Sequence, residues 1–100
     1  MSCNKLILKT NAAVEIEDVI SFYASKNSIL AKRIEKEIRL AFKTITENPE
    51  SFQCRYSEIR IFWLNKFPYG LYYIWENGEV FILAFWHSKE DIPNKLSKIL

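Results

Sequence analysis

The chain is poor in the residues that loosen or cross-link a polypeptide: two glycines, three prolines, two cysteines and a single histidine in 100 residues. With so little Gly and Pro there is no linker-like stretch, and no repeat or low-complexity run interrupts it, so residues 1–100 read as a single domain. Cys3 and Cys54 lie far apart, and no apolar run follows a charged head within Met1–Thr10. Neither a secretory signal nor a disulfide framework is indicated, and the thiols read as reduced, structural or incidental groups of a cytoplasmic protein. One His and two scattered Cys do not make a zinc site, so no metal or cofactor is expected. No segment approaches the roughly 20 apolar residues of a membrane span. The net charge of +2 is far below that of a dedicated nucleic-acid coat. Contact with phosphate must come from local clusters of Lys and Arg.

What is abundant is apolar mass: 49% of the residues are hydrophobic and 15% aromatic. A disordered chain lacks such aromatics, and a domain of this size buries about two-thirds of its unfolded surface. A core of large side chains is expected, with some rings left outside for a partner.

Periodicity orders the elements. Lys5–Thr10 is short, apolar and flanked by Lys, a first strand whose place in a sheet is left open. Thr10 or Asn11 can cap a helix that carries Glu15, Glu17 and Asp18 towards its positive end. Its apolar face is Ala12, Ile16, Val19, Ile20 and Tyr23. After Lys26-Asn27-Ser28, with Ser28 as cap, a second helix runs to Asn48-Pro49 on a stripe of Leu30, Ile34, Ile38, Ala41, Phe42 and Ile45. A loop through Tyr56 leads to extended runs at Glu58–Leu64, Tyr69–Trp75 and Glu79–Trp86. Asn77-Gly78 joins the last two as a two-residue hairpin turn. Counting back from that turn sets Trp75 opposite Val80, Tyr73 opposite Ile82, Leu71 opposite Ala84, and Pro68 opposite His87. Both faces of this hairpin are apolar, so it should lie centrally, with helices on one face and part of the other open. A last helical turn from Pro93 would put Leu96, Ile99 and Leu100 inward. The order is β-α-α-β-β-β, an α+β domain with a helical hairpin packed on a mainly antiparallel sheet.

Several stretches carry a resemblance. Glu58-Ile59-Arg60 followed by Lys66-Phe67-Pro68-Tyr69-Gly70-Leu71-Tyr72-Tyr73 resembles the "IR…FPY…YY" segment of the RelE/ParE superfamily of toxins. Val80–His87, with its charged, Pro-containing tail Ser88–Pro93, is similar to the last strand of that superfamily. Ala13, Glu17-Asp18, Ile20, Tyr23 and Asn48-Pro49 agree with its helices. The resemblance spans nearly the whole chain and implies the toxin of a type II toxin–antitoxin pair, of the kind called plasmid stabilisation proteins. It also implies an antitoxin partner whose acidic C-terminal segment wraps the toxin.

The resemblance implies two chemistries. RelE-like members cut messenger RNA on the ribosome, and ParE-like members inhibit DNA gyrase without catalysis. Cleavage through a 2′-hydroxyl needs a base, an acid and cations for the phosphate. The candidates for that work are His87, Arg60, Lys66 and Tyr69, with Glu58 as a base and Arg55 and Lys89 nearby. The plainer readings are a strand-ending His87, an Arg60 paired or stacked, a core Tyr69 and solvated lysines. In RelE-like nucleases an aromatic commonly follows the late His, whereas Ser88 follows here. The ParE-like reading is therefore favoured, with the nuclease as alternative and a module that only binds its antitoxin as a third. Lys32, Lys36, Arg39 and Lys43, at i, i+4, i+7 and i+11, form a basic ridge on the second helix. It is either a solvated face balanced by Glu35 and Glu37 or a contact surface for antitoxin, ribosomal RNA or gyrase.

Overall fold

A computed structural model describes residues 4–99, so Cys3 and Leu100 lie outside it. The elements are β1 (Lys5–Leu8), α1 (Thr10–Lys26), α2 (Ser28–Glu47), β2 (Cys54–Tyr56), β3 (Ile59–Trp63), β4 (Tyr69–Glu76), β5 (Glu79–His87) and α3 (Ile92–Ile99), with one 3-10 turn at Pro49–Ser51. The strands form one sheet in the order β1-β5-β4-β3-β2. β1 runs parallel to β5, and the other pairings are antiparallel. This is the α+β arrangement expected, with two additions: β1 finds a parallel partner at the edge, and a three-residue β2 forms within the segment read as loop. Nothing announces β2, because three residues are too few to show a period of two. Its turn places Ser57 at φ 55°, without the glycine that usually marks one.

The helices begin one residue from where capping rules place them. Lys9 occupies the α1 N-cap and offers no side-chain hydrogen bond. Its backbone N–H is still held by the Ile82 carbonyl at 3.1 Å, so the end of the β1 ladder sets the start of the helix. Thr10 and Asn11 are therefore inside α1, and Asn11 Nδ2 donates to the Leu83 carbonyl at 2.7 Å. At the other end, Asn27 by itself joins the two helices. Its N–H donates to the Tyr23 carbonyl at 2.7 Å, and its side-chain oxygen accepts from Ile29 and Leu30 at 2.9 and 3.4 Å. Asn27, not Ser28, is the cap, and it makes the antiparallel hairpin tight.

The β4–β5 hairpin turns at Asn77 and Gly78, φ 51° and 76°, the positive pair that a two-residue turn of this kind requires. From there Trp75 meets Val80, Ile74 meets Phe81 and Tyr73 meets Ile82, as counting predicts. The register then shifts by one between Tyr72 and Tyr73, so that Tyr72 meets Ala84, Leu71 meets Phe85, and Tyr69 rather than Pro68 meets His87. The extra residue on β5 is Leu83, a bulge that reverses which side chains face which layer.

Two cores result. On one face α1 and α2 bury Ala12, Ile16, Ile34, Ile38, Ala41 and Ile45 against Leu71, Tyr73, Val80, Ile82 and Phe85. On the other, α3 lays Ile92 and Leu96 over Ile59, Ile61, Tyr72, Ala84 and Trp86. Without the bulge, Phe85 would point away from the helices and Ala84 towards them. The C-terminal segment is thus two helical turns that cover much of the second face, with Leu96 inward as expected and Ile99 exposed.

Candidate functional site

The end of the sheet where β4 begins and β5 ends collects several of the residues singled out by sequence. Tyr69 and His87 are cross-strand partners, their rings edge to face with centroids 5.1 Å apart. Tyr69 also stacks on Phe85 at 5.1 Å and meets Tyr23 edge-on at 6.4 Å, while Phe67 lies against Tyr23 at 5.4 Å. The Phe67-Pro68-Tyr69 run has a local reason. Phe67 anchors the loop in the helix-side core, the Phe67 carbonyl accepts the Tyr69 N–H, and the Pro68 carbonyl accepts the Ser88 N–H, each at 2.9 Å. Burial, with the Tyr23 hydroxyl beside it, pushes the Tyr69 phenol up to about 12. At neutral pH it is therefore a proton donor and not a base.

His87 is held from both sides. Its Nδ1 accepts the Lys89 N–H at 3.0 Å, and its own N–H donates to Glu90 Oε2 at 2.8 Å. In a neutral ring this leaves the proton on Nε2. Burial raises the Glu90 carboxyl, but hydrogen bonds from Lys95 and from the His87 backbone outweigh it and hold the group below its ordinary value. Lys95 closes this knot, pairing with Glu90 and lying 5.3 Å from the Trp86 ring centre. Lys66, in the loop before Tyr69, gives its backbone N–H to the Glu37 carboxylate at 3.3 and 3.4 Å, and its side chain is exposed. Lys89, exposed, follows His87 by two residues. His87, Tyr69, Lys66 and Lys89 thus share one end of the sheet.

Arg60 does not join them. It lies mid-strand opposite Tyr73, four residues along β4 from the Tyr69–His87 pair, a separation of about 13 Å at strand rise. Its Nη1 donates to the carbonyls of Phe52 at 2.5 Å and Glu50 at 3.3 Å. The Tyr73 hydroxyl donates to the Pro49 carbonyl at 2.7 Å. Arg60 and Tyr73 together fasten the 3-10 turn that follows α2. Glu58 is exposed in the β2–β3 turn, and Arg55 is exposed on the edge strand β2. Cys54, beside Arg55, is a free and exposed thiol. Among the described residues no group of three or more His, Cys, Asp or Glu could hold a metal ion.

Lys32, Lys36, Arg39 and Lys43 are all exposed along α2. Arg39 pairs with Glu35 at 3.2 Å, a contact so open to water that it contributes a few tenths of a kcal/mol at most, of the order found for exposed helix pairs. Glu37 is not part of that balance, because its carboxylate binds the backbone of Asn65 at 2.8 Å as well as that of Lys66. It ties α2 to the β3–β4 loop. Beside the ridge, α2 and this loop enclose a groove of about 670 Å³ whose lining includes Leu30, Arg33, Leu40, Phe62, Lys66 and Phe67. Sequence periodicity missed Arg33 and Leu40 as a surface, since neither belongs to the core stripe or to the ridge. The signal was an exposed Leu beside a run of cations.

A helical hairpin laid on a β1-β5-β4-β3-β2 sheet defines the class of toxin fold that the sequence resembles. A solved structure described as a chromosomal ParDE toxin–antitoxin system from P. aeruginosa aligns with 87% of this chain and 98% of its own, with a TM-score of 0.74 at 15% identity. At that identity the likeness is one of fold. A family model for the ParE toxin of the type II toxin–antitoxin system parDE matches residues 6–92. The chain belongs to the ParE toxin family. No curated protein matches it.

Proposed function

We propose that this toxin is neutralised by a cognate antitoxin and that it acts without catalysis, by occupying a surface of a macromolecular target such as DNA gyrase. The antitoxin follows from the family, which is defined as half of a two-protein system, and from the ParDE assembly named for the structural relative. The observation that carries the non-catalytic reading is the separation of Arg60 from His87. The strand arginine is committed to backbone carbonyls, and Glu90, the carboxylate bound next to the imidazole, is committed to Lys95. A phosphodiester-cleaving site would need a free base and a cation at the same atom.

A second reading is favoured by the Tyr69–His87 contact. An imidazole whose Nδ1 accepts the Lys89 N–H, a phenol kept protonated, and the cations Lys66 and Lys89 are the components of a ribosome-dependent endoribonuclease. One pair of assays separates the two. In the first reading the purified chain blocks supercoiling by gyrase and leaves messenger RNA intact in a translation extract, and His87→Ala changes neither result. Message cleavage abolished by His87→Ala would reverse the assignment. Normal growth after induced expression would remove both and leave a module that only binds its antitoxin.

A further inference from the structure

We infer that the chain pairs with a second copy of itself through the face of the sheet opposite α1 and α2, at the end nearest the Asn77-Gly78 turn. This surface is separate from the Tyr69–His87 end and from the α2 ridge, so it adds a partner to the antitoxin and the target named above.

Alternation along the strands builds the surface. Leu6, Tyr73, Trp75, Val80 and Ile82 join the core beneath the two long helices, so their neighbours Ile7, Ile74 and Phe81 project from the other face. Ile74 and the bulge residue Leu83 lie against the edge of the cluster that α3 covers, whereas Ile7 and Phe81 belong to neither core. All four side chains are half-buried. This end of the second face is therefore apolar and open.

Strand register makes it self-complementary. β5 lies between β1 and β4, and two rows cross the three strands. The first is Lys5, Glu79 and Glu76, the second Ile7, Phe81 and Ile74. A two-fold axis parallel to β5 sets each row against its own copy and exchanges the outer strands. Lys5 then stands over the partner's Glu76, Ile7 over the partner's Ile74, and Phe81 over the partner's Phe81. Two sheets packed face to face lie about 10 Å apart, room for one layer of interdigitated side chains.

The charges favour that occupant. Glu76 and Glu79 are cross-strand neighbours, a like-charge pair that is unfavourable in the single chain. The ion pairs of the described residues are Arg39–Glu35 and Lys95–Glu90, so Lys5, Glu76 and Glu79 have none. Pairing brings a Lys5 cation to each Glu76, two new contacts at the rim. The two Glu79 carboxylates meet on the axis, each beside the Lys5 of its own chain. A row with two carboxylates and one lysine would repel a nucleic acid. Three strands about 4.8 Å apart and two rows about 7 Å apart give a contact about 15 Å across. That is well under the roughly 800 Å² per partner of a stable interface, so the pair is weak, with a Kd of roughly 0.1 mM. Both helical layers face outward in it.

Sedimentation equilibrium of the full chain, from roughly 0.01 to 1 mM, tests the pairing. Wild type should pass reversibly from monomer to dimer across that range. Phe81→Thr, which keeps a strand-forming residue, should raise Kd by about tenfold or more. Lys5→Glu and Glu76→Lys should each raise it by about fivefold or more, and the double variant should return to within about threefold of wild type. Glu79→Gln, which removes the charge on the axis, should tighten the pair. Thermal melts by circular dichroism establish that each variant is folded, and if Lys5→Glu or Phe81→Thr melts early, the double variant decides. A chain that stays monomeric throughout overturns the proposal, as does a dimer that the double variant fails to restore. A dimer indifferent to Phe81→Thr but lost on Leu40→Glu, an exposed position on α2, lies on the helical layer and overturns it too.

Discussion

The Trp86 indole N–H donates to one oxygen of Glu15 at 2.7 Å while the other oxygen takes the Phe85 backbone N–H at 3.0 Å, bonds that reach across 70 residues of sequence. One turn earlier on α1, Asn11 holds the Leu83 carbonyl. Asn11 and Glu15 thus bracket the β5 bulge from the helix side, supplying partners for backbone groups that the irregular ladder leaves unpaired. Glu15→Ala should lower stability by about 2 kcal/mol, the scale of hydrogen bonds to a charged group. That is a fall in Tm of several degrees, roughly 4–8 °C per kcal/mol at this size. Glu15→Gln should recover only part of it, since its amide N–H₂ would face one of the two donors. A melt of Glu15→Ala equal to that of wild type would show that the bulge holds without the helix.

Adjacent tyrosines on β4 should respond in opposite ways to losing a hydroxyl. Tyr73 and Tyr72 are both fully buried, and burial pushes each phenol up to about 12. The Tyr73 hydroxyl reaches the Pro49 carbonyl, whereas that of Tyr72 has no hydrogen-bond partner among the described residues. Tyr73→Phe should cost about 1 kcal/mol or more, because it strands a carbonyl beside Arg60. Tyr72→Phe should be neutral or stabilising, having removed a buried polar atom that gains nothing. Denaturant titration of the two variants gives the comparison. Because burial raises both pKa values on folding, ionising either phenol opposes the folded state, so stability is unaffected below pH 10 and falls as pH climbs towards 12.

Acid should loosen α3. The Glu90 carboxyl is raised by burial but lowered further by Lys95 and the His87 N–H, so its net shift is downward. A depressed carboxylate contributes stability that is present above its unfolded pKa and is lost as pH falls through the folded one. Glu90→Gln should therefore exchange its α3 amides faster than wild type at pH 7. The two proteins should converge as pH drops below the ordinary carboxylate range. A difference between them that persists into strong acid would place the anchor of α3 elsewhere.

Gly70 is required by contact, not by conformation. A Cβ built there would lie 2.9 Å from the Trp63 ring and from Ile61 Cγ2. Gly70→Ala should cost about 1–3 kcal/mol through overpacking, with a red shift in tryptophan emission as the half-exposed Trp63 ring moves outward. An unchanged spectrum and melt would show that the strand relaxes around the extra carbon.

Local patterns carried most of the architecture. The stripes on α1 and α2, the Asn77-Gly78 turn and the alternation of β4 and β5 are properties of neighbouring residues, and each was legible because burying one face imposes a period. The register read from the turn held for four pairs, from Glu76–Glu79 to Tyr73–Ile82, and failed at Leu83, since a bulge is decided by what meets the strand from another layer. The candidate site divided in the same manner. His87, Tyr69, Lys66 and Lys89 came together because the hairpin and its loop deliver them to one end. Arg60 looked equally available in sequence but lies against the Glu50 and Phe52 carbonyls.

Sequence alone thus determined the layers, the hairpin and the resemblance to the RelE/ParE superfamily, because hydrophobic period, turn chemistry and short motifs are written in consecutive residues. Tertiary structure alone decided that β1 lies parallel to β5, that Glu15 meets β5, that α3 covers the second face of the sheet, and that a basic, apolar groove opens beside Leu40. Each of these depends on groups distant along the chain being brought within hydrogen-bond or van der Waals reach, and such distances follow from packing and not from spacing.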